Sequence, residues 1–207
     1  MSQFFQPHPD NPQPRLIKQA VEIVRAGGLI VYPTDSGYAL GCHIGDKAAQ
    51  DRMRNLRQLD ETHHFTLVCR DLSELSTYAR VDNTAAFRLL KNNTPGPYTF
   101  IFKATLEVPR RLMNPKRKTL GLRVPDNRIA LALLEELGEP LLSTSLILPG
   151  LDRTLGDAEA IRERLEKQVD LIIDGGHCGD EPTTVIDFTE GYPEIVRVGK
   201  GDPAPFE

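Results

Sequence analysis

The sequence predicts a single α/β domain built on a mixed sheet. Three observations carry this. Helical-period segments alternate with short apolar runs along the whole chain, and neither an internal repeat nor a linker interrupts the 207 residues. Hydrophobic residues make up 40% and charged residues 26%, the balance of an ordinary globular protein. Finally, the apolar runs 183–188 and 194–198 are separated by a short turn, which suits an antiparallel hairpin better than a crossover and makes the sheet mixed.

Taken in order, residues 1–14 are rich in Pro and Gln and read as an extended arm, without the basic and apolar regions of a signal peptide. Leu16, Ile17, Ala20, Val21 and Val24 fall at helical spacing, closed by Gly27-Gly28. Leu29 to Tyr32 reads as a buried strand stopped by Pro33, and residues 32–41 as a loop. A helix is expected from Asp46 to Arg57, and a strand from Phe65 to Cys69. Asp71 and Glu74 have capping-box spacing at the start of a third helix. A fourth spans Asn83 to Lys91, before the turn Pro95-Gly96-Pro97. Strands follow at 98–103 and 119–124, then a helix through Ile129 to Leu137 closed by Gly138. A strand at 141–147, a helix from Asp157 to Gln168 and a strand at 171–174 precede the final hairpin. The domain is expected to span 15–200, with 201–207 as a tail.

Several function classes drop out. No apolar run is long enough to cross a bilayer, so no membrane role is expected and a cytoplasmic location is. Cys42, Cys69 and Cys178 are scattered and lack a C-x-x-C pair, which fits reduced thiols rather than disulfides or zinc. Adjacent His63 and His64 point in different directions in any regular structure and read as a polar loop, not metal ligands. A net charge of −4 argues against a general nucleic-acid coat. Basic residues nevertheless crowd between 109 and 128, and Arg110, Arg111, Lys116, Arg117 and Lys118 are a candidate RNA or phosphate surface.

Three segments carry candidate chemistry. The stretch from Tyr32 to Gly41 packs hydroxyls, a carboxylate and glycines after a buried strand, a composition that suits anion or zwitterion binding. It is neither a Walker A loop nor a dinucleotide fingerprint. Arg57, Arg123 and Arg197 form the second set. Arg123 on an apolar strand needs a partner, either an internal carboxylate such as Asp187 or a ligand phosphate or carboxylate. The third is Leu142-Ser143-Thr144-Ser145, where strand alternation places Ser143 and Ser145 on one face.

These segments also carry a resemblance. The run Val31 to Gly41 is similar to the opening "YPTDTVYGLG" of the YrdC family, and Thr94 to Thr99 to its "PGPxT". Gly121 to Asp126 resembles "GxRxPD", Leu142 to Ser145 the start of "TSAN", and 170–187 the block "DxxxDGG…STVVD". The blocks keep the family's order from about residue 15 to 200, and Asp35-Ser36-Gly37-Tyr38 with His63-His64-Phe65 look most like its YciO branch.

The resemblance implies a twisted mixed sheet flanked by helices around a concave basic cleft. It also implies a nucleotidyltransferase activity, threonylcarbamoyl-adenylate synthesis from ATP, L-threonine and bicarbonate for tRNA modification, with Mg2+ accompanying the ATP. On that resemblance Thr34 and Tyr38 line the threonine and nucleotide pocket, Arg57 meets phosphate in the catalytic step, and Arg123 meets the threonine carboxylate. Ser143, Ser145 and Thr183 bind nucleotide, and Arg197 closes the cleft. The family's K-x-R appears here as Asn55-Leu56-Arg57 and its S-x-N as Ser145-Leu146-Ile147, which implies reduced or altered activity. The alternative is a double-stranded RNA-, tRNA- or ribosome-binding protein that uses the basic cleft without catalysis. A nucleotide-binding protein without turnover lies between the two.

Overall fold

In the computed structural model, which describes residues 1–207, every element is tied to one ten-stranded mixed sheet. The strands are β1 (Gln3–Phe5), β2 (Ile30–Thr34), β3 (Gly37–His43), β4 (Thr66–Val68) and β5 (Tyr98–Lys103). They continue with β6 (Thr119–Arg123), β7 (Leu141–Ser145), β8 (Leu171–Ile173), β9 (Thr184–Asp187) and β10 (Glu194–Arg197). The helices are α1 (Pro14–Arg25), α2 (Lys47–Arg57), α3 (Leu72–Tyr78), α4 (Thr84–Asn93), α5 (Arg128–Leu137) and α6 (Ala158–Leu165). Across the sheet the order is β1-β8-β2-β3-β7-β4-β6-β5-β9-β10. The final pair β9/β10 is antiparallel, as the short turn between them required.

Local chemistry sets the helix limits. Asp46, Asp71, Asn83, Asn127 and Asp157 each accept a backbone N–H from the first turn of the following helix, satisfying donors that have no intrahelical partner. Glu74 accepts from the N–H of Arg70, one residue outside the position a capping box prescribes. Gly138 ends α5 at φ 75, a left-handed conformation that glycine adopts at low cost.

Two differences from the sequence reading shape the site. Pro33 does not stop its strand: β2 runs on to Thr34, the turn Asp35-Ser36 follows, and β3 returns antiparallel from Gly37. The segment expected to be a loop is therefore a hairpin in the middle of the sheet. The N-terminal arm contains β1, which pairs in parallel with β8. Smaller differences are the end of β7 at Ser145 rather than 147, and of α6 at Leu165 rather than 168.

The sheet separates two cores. On one face α1 and α5 set Ile17, Val21, Val24, Ile129 and Leu133 over Ile30, Tyr32, Leu141 and Leu171. On the other, α2, α3, α4 and α6 cover a larger core that includes Leu40, Met53, Phe100, Leu122 and Ile186. Phe206 from the C-terminal end packs into this core beside Tyr98, Phe100 and Phe188. The residues contributed by α1 and α5 lie over β8, β2, β3 and β7 and reach the next strand only at Val68. Cross-strand pairs Ser143↔Thr66, Thr66↔Gly121 and Gly121↔Ile101 carry that same face onward across β4, β6 and β5. There the face bears small and hydroxylated residues, and a cleft opens above them.

Candidate active-site cleft

Thr66, Gly121, Thr99, Ile101 and Val185 form the floor of this cleft, whose volume is about 300 Å³. A side chain at Gly121 would come within 3.1 Å of the Thr99 methyl and 3.3 Å of the Thr66 hydroxyl, so glycine keeps the floor low. The walls are Arg57, the segment His63-His64-Phe65, the end of β7 at Thr144 and Ser145 with Ile147 beyond it, and Thr183 with Arg197. Two guanidinium groups and two imidazoles line the cleft, and no carboxylate does.

Arg57 lies at the last position of α2, before Gln58 turns left-handed at φ 54. Its Nε donates to the carbonyl of Ile147 at 2.9 Å and its Nη1 to the Thr144 hydroxyl at 2.6 Å. The guanidinium is thus held across the cleft from its own helix, with donor capacity left for a ligand. Its partial burial lowers its pKa, because desolvation opposes the charged form. The Thr144 hydroxyl also lies 3.4 Å from His63 Nε2. Burial and the charges of Arg57 and Arg54 push His63 down to about 4, so its imidazole is neutral at pH 7.

On the opposite wall Arg197 donates through Nε and Nη2 to the carbonyl of Thr183, at 3.0 and 2.7 Å. Nη2 also reaches the Thr183 hydroxyl at 3.2 Å, and that hydroxyl lies 2.8 Å from Thr99 Oγ1. Arg57, Ser145, Thr183 and Arg197, far apart in the chain, meet at one surface.

The other sequence candidates lie outside the lining. Thr34 Oγ1 donates to the Gly37 carbonyl at 2.6 Å and accepts the Ser36 N–H at 3.0 Å, which closes the hairpin turn. The buried Tyr38 hydroxyl donates to the Gly176 carbonyl at 2.6 Å and accepts the Gly175 N–H at 3.1 Å. Ser143 donates to the Leu40 carbonyl at 2.7 Å and meets the Tyr32 hydroxyl at 2.6 Å. Arg123 is buried, donating to Ser36 Oγ at 3.0 Å and pairing with Asp35; its Nε has no partner. The internal carboxylate that Arg123 meets is therefore Asp35 and not Asp187, which pairs with Arg117 at 3.1 Å and takes the hydroxyl of Thr189.

The basic segment also divides. Arg111 donates to the Gln50 side chain and the Ile44 carbonyl, and Arg117 to Asp187 and Thr189. Arg110, Lys116 and Lys118 are exposed. Ile147 lines the cleft, whereas Asn55 is exposed on α2 and does not. Sequence reasoning missed His63 and Thr66 as site residues and named Thr99 and Thr144 only as members of their segments; no local pattern marks Thr66, and His63 reads as part of a polar loop.

The Sua5/YciO/YrdC family model, described as "Telomere recombination", matches residues 22–199. The chain is 69% identical to "Uncharacterized protein YciO" of Escherichia coli (strain K12), with all of both chains covered. The crystal structure of that protein superposes with a TM-score of 0.96. Identity to the threonylcarbamoyl-AMP synthase of Vibrio vulnificus (strain YJ016) is 28%, covering 77% of this chain and 86% of the other. A P. abyssi Sua5 structure complexed with L-threonine gives a TM-score of 0.86 at 27% identity, over 95% of this chain and 57% of that one. No helix is long and apolar enough to cross a membrane.

Proposed function

Because the chain belongs to the Sua5/YciO/YrdC family, we propose that its cleft binds ATP and L-threonine and forms threonylcarbamoyl-adenylate at a modest rate. The observation that carries this reading is the convergence of Arg57, Ser145, Thr183 and Arg197 on one cleft free of carboxylates. The threonine amine adds to bicarbonate with loss of water, giving a carbamate. A carbamate oxygen then attacks the α-phosphorus of ATP, the bond to the bridging oxygen breaks, and pyrophosphate leaves. Negative charge spreads over phosphate oxygens in this step, and fixed cationic donors stabilise it. Arg57, held by Thr144 and the Ile147 carbonyl, is oriented for that role before substrate arrives. Magnesium enters as part of the nucleotide substrate, and no group of three His, Cys, Asp or Glu side chains is placed to hold an ion beforehand.

The modest rate follows from Ile147, which presents an apolar side chain to the cleft. The activated adenylate is a donor suited to RNA modification. An RNA-duplex role without catalysis gains less support, since Arg117 is already paired with Asp187 and Thr189 and the chain as a whole carries a net charge of −4. The test is pyrophosphate release from ATP with threonine and bicarbonate, each omitted in turn. Release that requires both is expected; no threonine-dependent release at enzyme concentrations near those of substrate would overturn the reading.

A further inference from the structure

A second pocket of about 220 Å³ adjoins the cleft and shares His63, His64 and Phe65 with it. Arg54, Arg110 and Arg111 all line this pocket, against the single carboxylate of Glu61. None of the three arginines has a carboxylate within 4.0 Å, although the chain as a whole carries a net charge of −4. Arg54 stacks over the Phe65 ring, 4.9 Å from its centroid, and donates to the Asp60 carbonyl. Arg111 is fixed by Gln50 and the Ile44 carbonyl. The turn Arg110–Leu112 is anchored by buried Leu112, while the guanidinium of Arg110 is left without a protein partner.

Three cations that line one pocket with a single carboxylate among them repel one another, and a polyanion is the natural relief. Arg54 and Arg57 are three positions apart on α2 and so share one side of the helix. Arg57 serves the cleft and Arg54 the pocket beside it. We propose that the pocket of Arg54, Arg110 and Arg111 is a pyrophosphate subsite that receives the β- and γ-phosphates of the nucleotide bound in the cleft. The inference rests on the functional reading above and names the place where the leaving group is held. His63, in the shared wall, has its protonated form disfavoured first by burial and then by the charges of Arg57 and Arg54. Phosphate binding there makes that protonation easier.

Calorimetric titration with inorganic pyrophosphate, ATP and AMP tests the subsite on wild type, Arg110→Ala and Arg54→Ala. Arg110→Ala removes a side chain without protein partners, so its fold is expected to be intact, and circular dichroism checks both variants. Each change is expected to weaken pyrophosphate and ATP about tenfold, the scale of one charge-assisted contact, and to leave AMP unchanged. Unaltered pyrophosphate affinity in both variants would sink the subsite, as would an equal loss for AMP. Binding of an RNA duplex with a steep salt slope, without any for pyrophosphate, would also overturn it. Arg110-dependent pyrophosphate binding by a protein with no threonine-dependent turnover would leave the subsite standing and remove the synthase reading. Turnover with an ATP KM unchanged by Arg110→Ala would do the reverse.

Discussion

Arg57 is bound to the backbone of Ile147, not to its side chain: Nε donates to the Ile147 carbonyl at 2.9 Å. The apolar side chain at 147 can therefore change without releasing the arginine. Ile147→Asn is expected to keep this bond and add an amide donor to the cleft. A hydrogen bond to a charged group contributes about 1.5–3 kcal/mol, so adenylate formation should rise about tenfold or more. Asn55→Lys alone should change it little, because position 55 is exposed and outside the lining. Steady-state rates of the two variants decide this.

Arg57→Ala removes both the cleft cation and its clamp on Thr144. Loss of a preorganised donor to developing charge costs about 3–4 kcal/mol, so kcat should fall several-hundredfold. Arg57→Lys should recover little, because one ammonium cannot reproduce the fork that spans Ile147 and Thr144. Rates and unfolding midpoints measured together separate this effect from misfolding.

His63 gives a pH signature. Folding depresses its pKa from 6.5 to about 4, so between these values the unfolded chain binds a proton that the folded chain refuses. Stability is then fully retained above about 6.5 and falls as pH drops towards 4. Thermal unfolding of wild type and His63→Gln at pH 7 and pH 5 tests the sign. The variant should lose less stability than wild type on acidification, and an equal loss would remove His63 as a cause.

The Arg123–Asp35 pair is buried, with side-chain exposures of 7% and 11%. Removing one member leaves an unpaired buried charge and typically costs about 3–5 kcal/mol. Arg123→Met and Asp35→Asn should each destabilise in urea unfolding, and the double change should cost less than the sum. Strict additivity would mean that the two groups do not depend on each other.

Much of this fold was legible because its signals are local. Asp46, Asp71, Asn83 and Asp157 mark helix starts through the donors they accept, and Gly138 marks an end through its backbone conformation. The hairpin of β2 and β3 was not legible. Both strands are buried on both faces, so they lack polar alternation, while Pro33, Gly37 and Gly41 read as breakers. For the three residues of β1, stability comes from pairing with β8, a partner far away in sequence. The site shows the same division. That Arg123 required a partner followed from its apolar strand, but the choice of Asp35 over Asp187 depends on which turns the sheet brings together. His63 became a cleft residue only when its loop was seen beside Thr144.

Threonine, bicarbonate and ATP are proposed to be joined in the Arg57 cleft. The most direct test of this supplies isotopically labelled bicarbonate with ATP and threonine, and follows the label by mass spectrometry in wild type and Arg57→Ala. Label is expected in an adenylate that also carries threonine, formed with one pyrophosphate per molecule and nearly absent from the variant. Pyrophosphate release with no labelled adenylate, or equal labelling by both proteins, would contradict it.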